Sequence, residues 1–225
     1  MKEIPFIETI LKRIDTSDES YINALNVLSE KECLKNIVNS VLEDNLLQEI
    51  IAKRSYNHSN GFYKVMLYSS DNFKLRLHIW CPSDTVTVIE NIHHHRWRFV
   101  SKIITGQYTC FDYEISQDGE LMNSYYYYPR DGQDTYKLKK AGQDRIKLTQ
   151  TRILTSNDVL VSKPKELHRV ISNRKLFTTS LLIQGKDELE FTLIYNENPI
   201  NETVISPTLE TNDLAAILED FKLLL

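Results

Sequence analysis

Cysteine is scarce in this chain and does not come in pairs. Cys33, Cys81 and Cys110 lie far apart with no CxxC spacing, which argues against both a disulfide framework and a zinc–thiolate site. No apolar run approaches the roughly 20 residues that cross a bilayer, so no membrane partner is expected. Positive charge is not in excess either. A net charge of −4 leaves no electrostatic footprint for nucleic acid. The opening Met1-Lys2-Glu3-Ile4-Pro5 lacks the basic, then apolar, then small-residue order of a secretory signal, and a cytoplasmic protein is expected. There is no internal repeat, and the longest low-complexity tract is the run Tyr125-Tyr126-Tyr127-Tyr128. What remains is an ordinary globular composition in 225 residues, enough for one domain with a sizeable core.

The hydrophobic pattern divides the chain into a helical segment over 1–55, a strand-rich region over 56–200 and a tail with one helix over 201–225. Ile7, Ile10, Leu11 and Ile14 recur at helical spacing. Thr16 with Glu19, and Ser29 with Glu32, have the spacing of capping boxes. Leu34, Ile37, Val38, Val41 and Leu42 form a long core-facing stripe that Leu46, Leu47, Ile50 and Ile51 continue. Thr211 or Asn212 is positioned to cap a last helix bearing Leu214, Ile217, Leu218 and Phe221.

From Tyr63 onward the period becomes two. Leu75, Leu77 and Ile79 share one strand face, and Arg76 and His78 the other, which meets either solvent or a cavity. Further strands are expected at Val86–Ile89, Trp97–Tyr113, Ser124–Tyr128, Arg145–Leu154, Val159–Val161, Leu176–Gln184 and Leu189–Tyr195. Turns are expected at Pro82-Ser83-Asp84, Asp118-Gly119, Pro129-Arg130-Asp131-Gly132 and Ala141-Gly142. Many short strands at this spacing predict a sandwich or barrel. The tyrosine run puts aromatics on both faces of its strand. Either one face meets a partner subunit, as in a homodimer, or the N-terminal helices cover it.

The chemistry concentrates in Asn91-Ile92-His93-His94-His95-Arg96-Trp97 and Glu166-Leu167-His168-Arg169-Val170. A lone histidine is usually structural. On a strand, however, His93 and His95 point to the same face while His94 points away, and His168 supplies a third imidazole. Three neutral imidazoles suit iron, zinc, copper or nickel. Trp97 and Phe99 share the parity of the pair and would exclude water beside it. Arg76 could clamp a substrate carboxylate, and Gln184 and Tyr108 could reach the cavity from opposing strands. Arg96 and Arg98 have outward parity and are expected in solvent.

These motifs resemble those of cupins, double-stranded β-helix (jelly-roll) barrels. The first cupin motif carries an HxH pair, matched by His93 and His95, and a later glycine, matched by Gly106. The second carries a proline and then a histidine, matched by Pro164 and His168. The likeness covers about Phe73 to Gln184. Among cupins the chain most resembles the thiol dioxygenases, which lack the cupin glutamate and carry N-terminal helices. That resemblance implies a mononuclear non-haem iron oxygenase using Fe(2+) and O2 on a small polar, amino acid- or thiol-like substrate. It also implies that Lys64, on an early strand, contacts the substrate carboxylate.

Two departures matter. Phe99 occupies the cupin glutamate position, where cysteine dioxygenase has a crosslinked cysteine. The positions of that enzyme's Ser-His-Tyr relay read Ser180, Leu182 and Gln184. Efficient oxidation of cysteine is therefore not expected, and a larger or less polar substrate is. The same triad with Zn(2+), Ni(2+) or Mn(2+) would serve an isomerase, lyase or hydrolase. A small-ligand-binding protein without catalysis is the third reading.

Overall fold

The computed structural model describes residues 3–83, 89–128 and 135–225. The strand expected from Val86 to Ile89 (Ile89 excepted), Asp84 of the first turn and the turn from Pro129 to Gly132 lie outside them. Four helices come first: α1 (Glu3–Leu11), α2 (Asp18–Leu28), α3 (Lys31–Leu42) and α4 (Asn45–Ala52), and α5 (Thr211–Lys222) closes the chain. No helix among the described residues is long and apolar enough to cross a membrane.

The helix boundaries correct four expectations. Ser17, one residue after Thr16, caps α2 by accepting the Ser20 N–H at 3.2 Å. Ser29 ends α2 with its hydroxyl on the Asn26 carbonyl, so no box forms with Glu32. The long stripe breaks at Glu43-Asp44, because the Asp44 carboxylate accepts the Leu47 N–H and starts a separate helix. Thr211 and Asn212 are the first residues of α5, and its N-cap Glu210 makes no side-chain bond.

The strands in chain order are β1 (Tyr56–His58), β2 (Phe62–Ser69), β3 (Lys74–Trp80), β4 (Ile92–His93), β5 (Trp97–Thr105) and β6 (Gln107–Tyr127), then β7 (Thr135–Thr155), β8 (Val159–Ser162), β9 (Leu167–Ser172), β10 (Thr178–Asp187), β11 (Thr192–Asn196) and β12 (Thr203–Ile205). They form two six-stranded antiparallel sheets, ordered β1-β2-β3-β10-β5-β8 and β11-β4-β9-β6-β7-β12, with β11 also pairing β6. The fold is mostly β, the double-stranded β-helix expected from the sequence, with helices on one side.

The expected Trp97–Tyr113 strand is two strands that bend at Gly106. There φ is +71°, and a Cβ would stand 2.7 Å from the Thr178 Cα, so only glycine fits without displacement. Asp118-Gly119 and Ala141-Gly142 are not turns. They sit inside the 21-residue strands β6 and β7, at or beside breaks in register. A Cβ on Gly119 would lie 2.6 Å from the Ile146 backbone, so this glycine marks a close approach within a bulge.

Strand parity decides where the core lies. The outward face of the first sheet carries Val65, Leu67, Leu75, Leu77, Ile79, Val100, Leu181 and Ile183. These pack with Leu25, Leu28, Leu34, Val38, Leu214, Leu218 and Phe221 of the helices into the main apolar core. Each such side chain contributes about 1.5–3 kcal/mol on burial. The opposite face of the same strands, with Arg76, His78, Trp80, Ser101, Ser180 and Leu182, points into the barrel. The polar face of β3 thus lines a cavity.

The tyrosine run lies on the second sheet, on β6 between β11 and β7, away from the helices, which contact β2, β5 and β10. The N-terminal helices make their main contacts on the other sheet. Tyr125 is buried and its hydroxyl accepts the Ile200 N–H, while the Tyr126 and Tyr127 rings lie 4.7 and 4.6 Å from those of Phe191 and Tyr136.

Candidate metal centre and its two cavities

β4 and β9 pair with His93 directly opposite His168, which makes their imidazoles cross-strand neighbours. β4 ends at His93, but the alternation continues, so His95 returns to the same side. The three rings form a nearly equilateral triangle, with centroids 4.8, 4.9 and 5.0 Å apart. One nitrogen from each lies within 4.8 Å of the others.

Burial holds all three rings below the ordinary imidazole range, His95 well below it and His168 at about 3. They are therefore neutral. His93 Nδ1 lies 2.9 Å from the Asn91 carbonyl and His168 Nδ1 3.4 Å from that of Glu166. With Nδ1–H donated to a carbonyl, Nε2 keeps its lone pair for a ligand.

His94 faces the other way. Its Nε2 accepts the Leu193 N–H at 3.0 Å, and the His94 backbone N–H donates to the Leu193 carbonyl at 3.3 Å. Phe99 stands against the triangle, 4.9 Å from the His95 ring and 5.9 Å from His168. Among the described residues no carboxylate joins the three histidines. The donor set therefore fits a divalent ion that favours nitrogen ligands.

The triangle separates two cavities. An inner chamber of about 80 Å³ is bounded by Arg76, His78, Trp80, Phe99, Tyr108 and Leu182, among others. An outer cavity of about 660 Å³ opens between the sheets. His58, Lys64, His93, His95 and Trp97 border both.

Arg76 is only 5% exposed, and its Nε has no hydrogen-bond partner among the described residues. Burial lowers it to about 10, which still leaves it cationic. Its guanidinium lies 5.3 Å from the Trp97 ring. Lys64 donates to the Tyr56 hydroxyl at 2.9 Å. Tyr108 is buried in the chamber wall, with its phenol pushed up by burial. Ser180 and Leu182 line the same wall. Gln184 shares their face but lies one pair further along, between Lys74 and Phe99. It is outside both cavity walls, and its Oε1 has no partner.

Arg96 is not in solvent. It is buried, with its guanidinium 4.8 Å from the Trp97 ring, 5.7 Å from that of Tyr127 and 3.3 Å from the Asp187 carboxylate. Parity alone missed this, because its partners come from distant strands. Arg98 is half-buried, paired with Asp18 and donating to the Thr16 carbonyl.

Glu90 was not singled out by sequence. It is 6% exposed, lines the inner chamber and accepts the Val170 N–H at 2.9 Å. Burial raises its carboxyl to about 7 against an ordinary 4.5, while the Val170 bond opposes the shift. The unfolded chain ionises near 4.5 and the folded one only near 7. Its contribution to stability is thus complete below pH 4.5 and lost as pH rises to about 7. Glu90→Gln should remove that loss. Relative to the parent, urea unfolding should show it gaining on the order of 1–3 kcal/mol between pH 4.5 and pH 8. An unchanged difference across that range would place the carboxyl in water.

Fold and site together define a mostly β double-stranded β-helix with three neutral histidines at the junction of two cavities. No family model and no curated protein matches the chain. Among solved structures it is similar to KdgF from Halomonas sp., with 10% identity, 58% of this chain and 87% of that one covered, and a TM-score of 0.35. It is also similar to an RmlC-like cupin from Shewanella frigidimarina, with 13% identity, coverages of 60% and 85%, and a TM-score of 0.35. A cupin superfamily protein from Desulfitobacterium hafniense gives 14% identity, coverages of 58% and 82%, and a TM-score of 0.31. The chemistry is read from this chain's own side chains and not from those likenesses.

Proposed function

We propose that this protein is a mononuclear non-haem iron oxygenase acting on a small anionic metabolite. The observation that carries the reading is the triangle of neutral imidazoles without a carboxylate, facing a chamber whose wall holds the buried guanidinium of Arg76. His93, His95 and His168 would hold Fe(2+). Bound there, iron supplies the one-electron chemistry that lets dioxygen react with an organic substrate. The remaining work falls to the chain. Arg76 donates to the substrate carboxylate, and Lys64 adds positive charge beside it. Trp80, Phe99 and Leu182 exclude water, which strengthens those contacts. Glu90 holds a proton on the chamber wall near neutral pH.

Glu90 also favours a second reading. A buried carboxyl poised near pH 7 suits proton transfer in an isomerase or lyase using Zn(2+), Ni(2+) or Mn(2+). The test is metal analysis of the purified chain, followed by reloading with each ion and oxygen-electrode measurement over a panel of amino acids, thiols and other carboxylates. About one iron per chain with iron-dependent oxygen uptake supports the oxygenase. Turnover under argon with another ion supports the second reading. A chain that retains no metal is a binding protein.

A further inference from the structure

The two cavities are badly mismatched in size, and that mismatch describes the substrate. The inner chamber, at about 80 Å³, is roughly an eighth the size of the outer one and suits a small head group rather than a whole metabolite. The outer cavity of about 660 Å³ is in the range that buries a whole metabolite. Its character is also different. Arg76 and His78 line the inner chamber only, among apolar residues such as Trp80, Phe99 and Leu182. Lys64 borders both cavities, and the outer walls carry Ile89, Tyr127, Tyr136, Leu138, Val204 and Ile205. Ile89 and Ile205, both large aliphatic side chains, are 65% and 67% exposed.

We propose that the substrate is an amphipathic anion, with a carboxylate head beside Arg76 in the inner chamber and an apolar alkyl or aryl tail in the outer cavity. The metal triangle then faces the atoms where head and tail join. This rests on the anionic-substrate reading above and extends it. An amino acid of cysteine's size would leave the outer cavity wet and its aliphatic walls uncovered. A tail that covers them gains about 0.8 kcal/mol for each methylene buried.

Straight-chain carboxylates from butyrate to octanoate are the probes, and intrinsic tryptophan fluorescence is the readout. The chain has two tryptophans, Trp80 in the inner wall and Trp97 bordering both cavities. Titrated without oxygen, the dissociation constant should fall about two- to fourfold per added methylene. Alkylamines of the same lengths should bind at least tenfold more weakly. Ile89→Ser with Ile205→Ser, at two exposed positions, should flatten the chain-length dependence. Arg76→Met should weaken every length by the same factor.

Equal affinity for butyrate and octanoate, or amines binding as well as acids, overturns the inference. Neither result depends on turnover. Failure of iron-dependent oxygen uptake would remove the oxygenase reading and leave this one standing. A flat chain-length series would do the reverse.

Discussion

Replacing His168 with alanine should reduce bound metal from about one ion per chain to near none, and the same holds for His93 and His95. The reason is geometric. Three ring nitrogens within 4.8 Å of one another form the whole set among the described residues, and Phe99 rather than a carboxylate stands beside them. Loss of one ligand of three leaves a bidentate site in a dry pocket, and a divalent ion there has no protein group to replace the missing bond. His94→Ala should behave oppositely. Its metal content should match the parent, while stability falls by about 1–3 kcal/mol because the Leu193 N–H loses its acceptor. For a chain of this size, that lowers the melting temperature by roughly 2–4 °C per kcal/mol. Metal analysis and thermal unfolding of the four variants separate the roles. Equal loss of metal from all four would refute the ligand assignment.

Arg76→Met should weaken anion binding about a hundredfold while leaving the fold as stable as before or more so. The two effects have one source. The guanidinium is buried, its Nε has no acceptor among the described residues, and the Trp97 ring is the neighbour that faces it. Desolvation of a buried cation costs the folded state free energy, which the Asp187 carboxylate only partly offsets, and methionine fills similar space without charge. A charge-assisted bond to a bound carboxylate is worth about 1.5–3 kcal/mol, or roughly ten- to more than a hundredfold in affinity. Octanoate titration and urea unfolding of the same preparation test both halves. If Arg76 served only to hold the barrel together, the variant would lose stability and keep its affinity.

Much of the metal cluster could be read from sequence because it depends on short-range rules. Two-residue alternation set the direction of His93, His95, Trp97 and Phe99, and a simple cross-strand pairing brought His168 opposite His93. The face of β3 was legible as a polar stripe, but not its destination. Only the helices covering Leu75, Leu77 and Ile79 show that Arg76 and His78 turn inward. Arg96 was misread because its partners, Tyr127 and Asp187, are 31 and 91 residues away in sequence. Glu90 carries no local signal, since its burial depends on Val170, 80 residues later. Gly119 and Gly142 look like turns in sequence but accommodate irregularities within two long strands, where pairing across the hairpin outweighs local preference.

The main apolar core lies between the helices and the outer face of one sheet, not inside the barrel. The largest group of side chains that hold the molecule folded is therefore distinct from those that face a ligand, although a smaller cluster with Trp80, Phe99 and Leu182 also lines the chamber. Substitutions on the inner face of β3, β5 or β10 leave the helix-covered side of the same strands intact. A lineage carrying this fold can exchange one substrate for another without first acquiring compensating mutations elsewhere. On this account, descendants of a common ancestor should diverge fastest at the cavity positions and slowest at Leu75, Leu77, Leu181 and Ile183 beneath the helices.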